Sequence, residues 1–398
     1  MANSLADKSF LALKPQVAAA TPILPALFAP LVSVNIPLDP AFSASRAMKG
    51  ISWESDDLLK GKRTIKGDIE IWADPDNLAH LVNMVCVKTS TAGDAASGYT
   101  HIFDPGEGKS YSLDIPRSTY AQRLYGWRGT KLSFSFEDNK MKAKITGEAL
   151  GQFYAVSLAV ALTGAGMTSA VFKTDYDLRP ADGLVIGDTI IVGGVEVILT
   201  SVNANGTTVG FASTAVTSAV GDPVYLKAQT PSFTALQEPL YFGNTLVGTG
   251  ADSAAADTAA ATRAAATMCE EITAEYDTGL QAHPGSGYTG PGVLLNGVRT
   301  GAVNLTRLFT DPQQYQKWIE NVKQAITIIA TGRYIKTDLS TSEKLTIKIN
   351  KVKLMTNDEP LEVGQYIMDK QAYKMLYDPT DGDALTITIV NRTAGTVY

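Results

Sequence analysis

Gly67-Asp68-Ile69-Glu70-Ile71-Trp72-Ala73-Asp74-Pro75 runs into Asn77–Val85. The same order recurs in the second half, where Gly301-Ala302-Val303-Asn304-Leu305-Thr306-Arg307-Leu308-Phe309-Thr310-Asp311-Pro312 runs into Tyr315–Val322. Each copy reads as a strand, then Asp-Pro, then an amphipathic helix. Asp supplies an N-cap acceptor, Pro is preorganised for the first helical position, and the apolar spacing changes from about two to about 3.6 residues across that point. The first helix carries Leu78, Leu81, Val82 and Val85 on one face, which leaves His80 on the solvent side, and the second carries Tyr315, Trp318, Ile319 and Val322. Two copies suggest one building block used twice.

Outward from the first copy, Leu132, Phe134 and Phe136 alternate with Lys131, Ser133 and Ser135. Glu137-Asp138-Asn139-Lys140 then turns the chain, and Met141, Ala143 and Ile145 alternate with Lys142 and Lys144, so a hairpin with one apolar face is expected. Between about 171 and 229 the composition shifts to Gly, Val, Ile and Thr. Gly193-Gly194 between Thr189–Val192 and Val195–Thr200, and Asn205-Gly206 before Thr207–Phe211, are tight hairpin signals of a small all-β insert. The Ala-rich tract Ala251–Thr267 has little to bury and is expected as an exposed helix or mobile loop. After the second copy, strands are expected at Ala325–Ala330, Leu345–Ile349, Val352–Met355 and Leu385–Ile389. The chain thus reads as mainly β (α+β): an extended Ala/Pro-rich arm at 1–45, a first body at 46–168, an inserted β domain at 169–230 and a second body at 231–398. Each body is an antiparallel sandwich or barrel with one packed helix.

Residues 15–38 carry no charge, but Pro15, Pro22, Pro25, Pro30 and Pro37 forbid a continuous membrane helix. An apolar extended arm gains by lying against the body or a neighbouring subunit, and Leu24, Leu27, Phe28, Leu31 and Val34 are the candidate inter-subunit contacts. The net charge of -6 argues against a surface that wraps nucleic acid. Two distant cysteines, Cys86 and Cys269, form no disulfide framework.

No catalytic, cofactor-binding or metal-ligating set emerges. Asp104-Pro105-Gly106-Glu107-Gly108-Lys109-Ser110 ends like a phosphate loop, but Asp104 stands where the first Gly is required and no helix pattern follows. It reads as a polar turn. Gly248-Thr249-Gly250 and Gly285-Ser286-Gly287 lack a βαβ context and read as flexible loops. His80, His101 and His283 have no metal-ligand spacing and single out no general base.

Ile51–Glu54, Gly67–Pro75 with its helix, and Tyr120–Gly126 leading into the Leu132–Ile145 hairpin resemble bacteriophage tail tube proteins that carry two tube-type domains in one chain. Gly301–Pro312, the Tyr315–Val322 helix and the closing strands are similar to the second domain of that family. The resemblance implies a structural, non-enzymatic virion protein without cofactors, made in the bacterial host cytoplasm and assembled into a long, non-contractile-type tail. It implies homotrimeric rings with pseudo-sixfold symmetry, stacked into a hollow tube through which DNA passes without being gripped. The implied partners are further copies of the chain and other tail proteins, such as tape measure, tail-terminator or tip proteins, with no membrane. The alternative is a β-rich surface adhesin or receptor-binding module, which predicts a discrete oligomer that never stacks.

Overall fold

The structure is a computed structural model that describes residues 10–37, 42–44, 58–60, 65–174, 181–233, 238–284, 291–309, 313–335, 340–358 and 367–398. Ile51–Glu54, Gly285–Gly287, the Asp311-Pro312 step and the remaining positions of the expected arm lie outside those residues.

Residues 10–35, expected as arm, are two strands of a barrel. β1 (Phe10–Pro15) pairs with β2 (Leu27–Asn35), and the chain passes through a short ladder of β3 (Phe42–Ala44) and β4 (Leu58–Lys60) to β5 (Ile65–Trp72). Then come α1 (Pro75–Asn83), the hairpin β6 (Val87–Asp94) and β7 (Gly98–Asp104), β8 (Tyr111–Arg117), β9 (Tyr120–Glu137), β10 (Lys140–Ala149) and β11 (Gly151–Phe153). The order β10-β5-β2-β1-β8-β9 closes into a six-stranded antiparallel barrel through the β9–β10 pairing. The prolines that forbid a helix are compatible with these strands. Pro15 ends β1, Pro22 and Pro25 lie in the connection, and Pro30 stands where β2 leaves β1 for β5. Leu11, Leu13, Ile69, Ile71, Leu113 and Trp127 fill the interior and are fully buried. Asp138 and Asn139 turn the expected hairpin with φ of 49° and 63°, the left-handed pair that a two-residue connection needs.

The insert is a second barrel. Its strands are β12 (Ala155–Ser157), β13 (Leu162–Val171), β14 (Thr189–Val192), β15 (Val195–Val202), β16 (Thr208–Ser218) and β17 (Pro223–Leu226), in the order β12-β17-β14-β15-β16-β13. The bridge Leu158↔Phe172 joins its two ends. Its first strand begins upstream of the composition shift, because Leu158 and Leu162 are core residues of this barrel.

The second half contains β18 (Thr245–Gly250), α2 (Ser253–Ala260), β19 (Cys269–Asp277), the pair β20 (Gln281–Pro284) and β21 (Pro291–Leu295), β22 (Thr300–Leu308), α3 (Gln313–Ile319), β23 (Lys323–Tyr334), β24 (Ser342–Asp358), β25 (Met368–Met375) and β26 (Leu385–Asn391). The strands expected at Leu345–Ile349 and Val352–Met355 are one continuous strand, β24, because β23 pairs across both stretches and Asn350-Lys351 makes no turn. Gly248-Thr249-Gly250 is not a loop but the end of β18. A Cβ at Gly248 would overlap the Ala256 carbonyl and the Ala260 amide, so these glycines let α2 lie directly on the strand. The Ala-rich tract is therefore packed on one side, with Ala256 and Ala260 fully buried.

Strand for strand, β18-β23-β24-β25-β22-β19 repeats β1-β8-β9-β10-β5-β2. Even the irregularities coincide. β2 inserts Val32 between its pairs Leu31↔Ile71 and Ser33↔Glu70, and β19 inserts Glu270 between Cys269↔Arg307 and Glu271↔Thr306. β9 bulges at Thr130 against β10, and β24 bulges at Met355 against β25. The third shift separates Tyr111↔Trp127 from Leu113↔Leu124 in one half, and Gln324↔Val352 from Ile326↔Ile349 in the other. A bulge marks one position in a ladder, so coincident bulges identify equivalent residues: Trp127 with Val352, Thr130 with Met355. The Leu11↔Ala29 pair of the first barrel has its counterpart in a single bridge, Val247↔Thr267, beside which α2 fills the connection.

Candidate assembly surface

The two halves are joined as one sheet. Lys131, Leu132, Ser133 and Phe134 of β9 pair with Asp277, Tyr276, Glu275 and Ala274 of β19. A row of neighbouring residues consequently crosses eight strands: Ser33, Glu70, Lys144, Ser133, Glu275, Ala302, Lys374 and Lys353. Because side chains alternate across a sheet, one face is polar apart from Ala302 and the other carries Ile71, Ala143, Phe134, Ala274, Val303, Tyr373 and Leu354. In the first half and at the join, charges on the polar face are paired laterally, whereas Lys374 and Lys353 of the second half stand directly opposite each other. Lys144 lies 2.9 Å from Asp68, Lys142 contacts Glu70 and Glu137, and Lys131 reaches Glu275 at 2.8 Å across the join. On the apolar face the second half places Arg307 and Asp369, 2.9 Å apart, where the first has Ile71 and Ala143.

A second join covers α1. β26 pairs with β7, and Asn391 donates from Nδ2 to the Pro75 carbonyl at 3.1 Å. His80, expected on the solvent side of its helix, is instead buried. Its ring lies 4.5 Å from that of Tyr398, and Nδ1 is 3.2 Å from the Tyr111 hydroxyl. The apolar period of α1 predicts the face that meets its own core, whereas His80 sits between Tyr111 of its own half and Tyr398 of the other. Burial, aided by nearby His101, lowers the His80 pKa to about 3, so the ring is neutral. His101 lies 3.0 Å from Asn391 Oδ1, and burial also lowers its pKa. The rings of His80, Tyr111, His101 and Tyr398 line the α1 interface.

The equivalent helix α3 has no such cover. Tyr315, Trp318, Ile319 and Val322, expected as its buried face, are 46%, 37%, 64% and 37% exposed, and Gln314 is its one buried residue among those described. Trp318 donates from Nε1 to the Met355 carbonyl at 3.2 Å. Beyond Lys353, β24 has no ladder partner on its β23 side among the described residues.

The five arm residues take places along the first barrel. Leu27, Leu31 and Val34 pack partly buried against its core, Phe28 meets the Phe10 ring edge-on at 5.5 Å, and Leu24 is 37% exposed in the β1–β2 connection. Lys109 follows a turn between β7 and β8 and donates to the Tyr398 carbonyl at 3.1 Å. Burial pushes the thiols of Cys86 and Cys269 up to about 12. Among the described residues, no three His, Cys, Asp or Glu side chains converge as metal ligands, and no helix is long and apolar enough to cross a membrane.

Fold and surface together define a mainly β protein made of a duplicated six-stranded unit with an inserted barrel. No protein-family model matches the chain, and no curated protein is similar enough to count as a match.

Proposed function

We infer that this chain is a tube-forming structural subunit, the major tail tube protein of a long-tailed phage, acting through assembly into stacked rings. The observation that carries the reading is the β9–β19 join between equivalent units, which makes one sheet of two repeats. A join between unlike edges of like units is heterologous, and such contacts close into rings when the rotation per unit permits. Repeated between chains, this join makes a six-unit ring from three chains. The lateral ion pairs on the polar face and the net charge of -6 suit a channel wall that DNA passes without counterion-releasing contacts.

The test is negative-stain electron microscopy of the purified chain at high concentration. Rings or hollow tubes of uniform width are expected. Particles that stay monomeric, alone and with other tail components added, would refute the reading.

A further inference from the structure

We propose that the cleft between the β1–β2 connection and residues Val397 and Tyr398 binds a single-chain anionic amphiphile, an apolar tail ending in a carboxylate that Lys14 and Lys109 hold. This goes beyond the assembly reading above and does not depend on it.

The cleft has a volume of about 590 Å³, inside the roughly 300–1,000 Å³ of small-molecule sites. Val17, Ala26, Leu27, Val397 and Tyr398 give it apolar walls, and Val17 is fully exposed. Lys14 and Lys109 supply its charge. Among the described residues neither ammonium has a side-chain carboxylate as partner. Lys109 donates to the Tyr398 carbonyl at 3.1 Å, and the Lys14 ammonium makes no hydrogen bond to the described residues. Gln16, which also lines the cleft, is engaged within the wall itself: its Oε1 accepts from the Gly126 N–H at 2.7 Å and its Nε2 donates to the Thr21 carbonyl at 2.6 Å. The Ile23 N–H donates to the Ser112 hydroxyl at 3.0 Å, so the connection is pinned to the barrel at both its start and its middle. A wall held by its own hydrogen bonds needs no reordering to accept a ligand. Apolar sides favour burial of a hydrocarbon tail, and a free ammonium favours an anionic head through a charge-assisted hydrogen bond.

The duplication explains why this space is open. The ladders of β1 with β8 and of β18 with β23 equate Ala12 with Gly248 and Lys14 with Gly250. In the second half α2 lies on those glycines: a Cβ at Gly250 would overlap the Ala256 amide, and Thr327 donates to Asp257 of α2 at 2.7 Å. In the first half the corresponding connection between β1 and β2 contains no helix. Asp114, the counterpart of Thr327, instead accepts from Arg123, which also donates to Asp188 of the insert. The insert therefore stands in for α2 beside Asp114, and the place beside Lys14, which a helix fills in the other half, is the cleft.

The purified full chain is titrated by calorimetry with decanoate, decanol and decyltrimethylammonium, each below its micellar concentration. Decanoate should bind once per chain and about tenfold or more tightly than decanol, the difference expected of one charge-assisted hydrogen bond. Lys14→Gln should remove that preference and leave decanol binding unchanged. Ala26→Trp, at an exposed position, should fill the cleft and abolish binding of both while the circular dichroism spectrum stays that of the wild type. The proposal is overturned if decanoate does not bind, if it binds no better than decanol or the ammonium compound, or if its binding survives Ala26→Trp. Sedimentation with phosphatidylglycerol vesicles separates the sources of such a head group: a chain that sediments with vesicles but takes up no decanoate has a membrane contact instead, and the proposal falls. Negative staining of the same samples keeps the two readings apart. Tubes without decanoate binding overturn the proposal and leave the tube reading standing, whereas binding by particles that never assemble supports the proposal and counts against the tube.

Discussion

Replacing Arg123 by Met should separate the inserted barrel from the first barrel. Arg123 is fully buried and donates from Nε and Nη2 to Asp114 of β8 at 2.6 and 2.7 Å. Its Nη1 donates to Asp188, just before β14, at 2.5 Å and to the Gly183 carbonyl at 3.2 Å. One guanidinium therefore ties two barrels through two carboxylates that are 2% and 1% exposed. Removing one partner of a buried ion pair costs about 3–5 kcal/mol, because the remaining charge is left uncompensated, and here two carboxylates are left. That is a large share of the roughly 5–15 kcal/mol that holds a domain folded. The pH dependence follows from the same charges. Burial already raises the Asp188 pKa against the opposing pull of Arg123, and without the cation it should rise further. A carboxyl whose folded pKa lies above its unfolded value is most stabilising below the unfolded value, and that contribution is lost as pH rises through the folded one. The Arg123→Met deficit should thus be smallest near pH 4 and grow toward pH 7. Urea unfolding across that range, with limited proteolysis reporting release of the insert, measures it. The triple variant Arg123→Met/Asp114→Leu/Asp188→Leu should recover most of the loss, since an apolar replacement of a buried charge cluster is often neutral or stabilising. A single variant within about 1 kcal/mol of wild type, or a triple variant as unstable as the single, would refute the reasoning.

Gly248→Val should destabilise the second half by on the order of 1–3 kcal/mol, because its side chain overlaps the backbone of α2 and the helix must lift; urea unfolding that leaves the midpoint unchanged would contradict the close packing. For His80, burial places the folded pKa, about 3, below the ordinary value of 6.5, so stability is full above that ordinary value and is lost as pH falls between the two. The unfolding free energy from urea titration should fall on acidification from pH 7 to 4, and His80→Gln should flatten that slope by up to about 1.4 kcal/mol per pH unit. Equal slopes in the two proteins would mean that His80 titrates normally.

The parts legible in the sequence are those governed by neighbours along the chain. Asp74-Pro75 starts a helix because the cap is made with amides two and three residues on. The Leu132–Ile145 hairpin is legible because alternation and a two-residue turn are both local. The insert announces itself through Gly193-Gly194 and Asn205-Gly206, which begin or join its strands. Where the reading failed, the deciding partner lies far away in the chain. His80 is buried by Tyr398, Gly248 is flattened against Ala256 across a strand–helix contact, and the α3 stripe is apolar whether or not anything covers it.

The repeated strand, Asp-Pro and helix motif established by itself that the chain uses one block twice, since its propensities and caps are properties of short segments. That the two blocks are equivalent residue by residue was decided only in the tertiary structure. Bulges and ladder registers are relations between strands, and they persist where the side chains have changed from Ile71 and Ala143 to Arg307 and Asp369. The same holds for the join between the halves: the sequence shows which side chains are apolar, but only the pairing of β9 with β19 shows which strand edges meet.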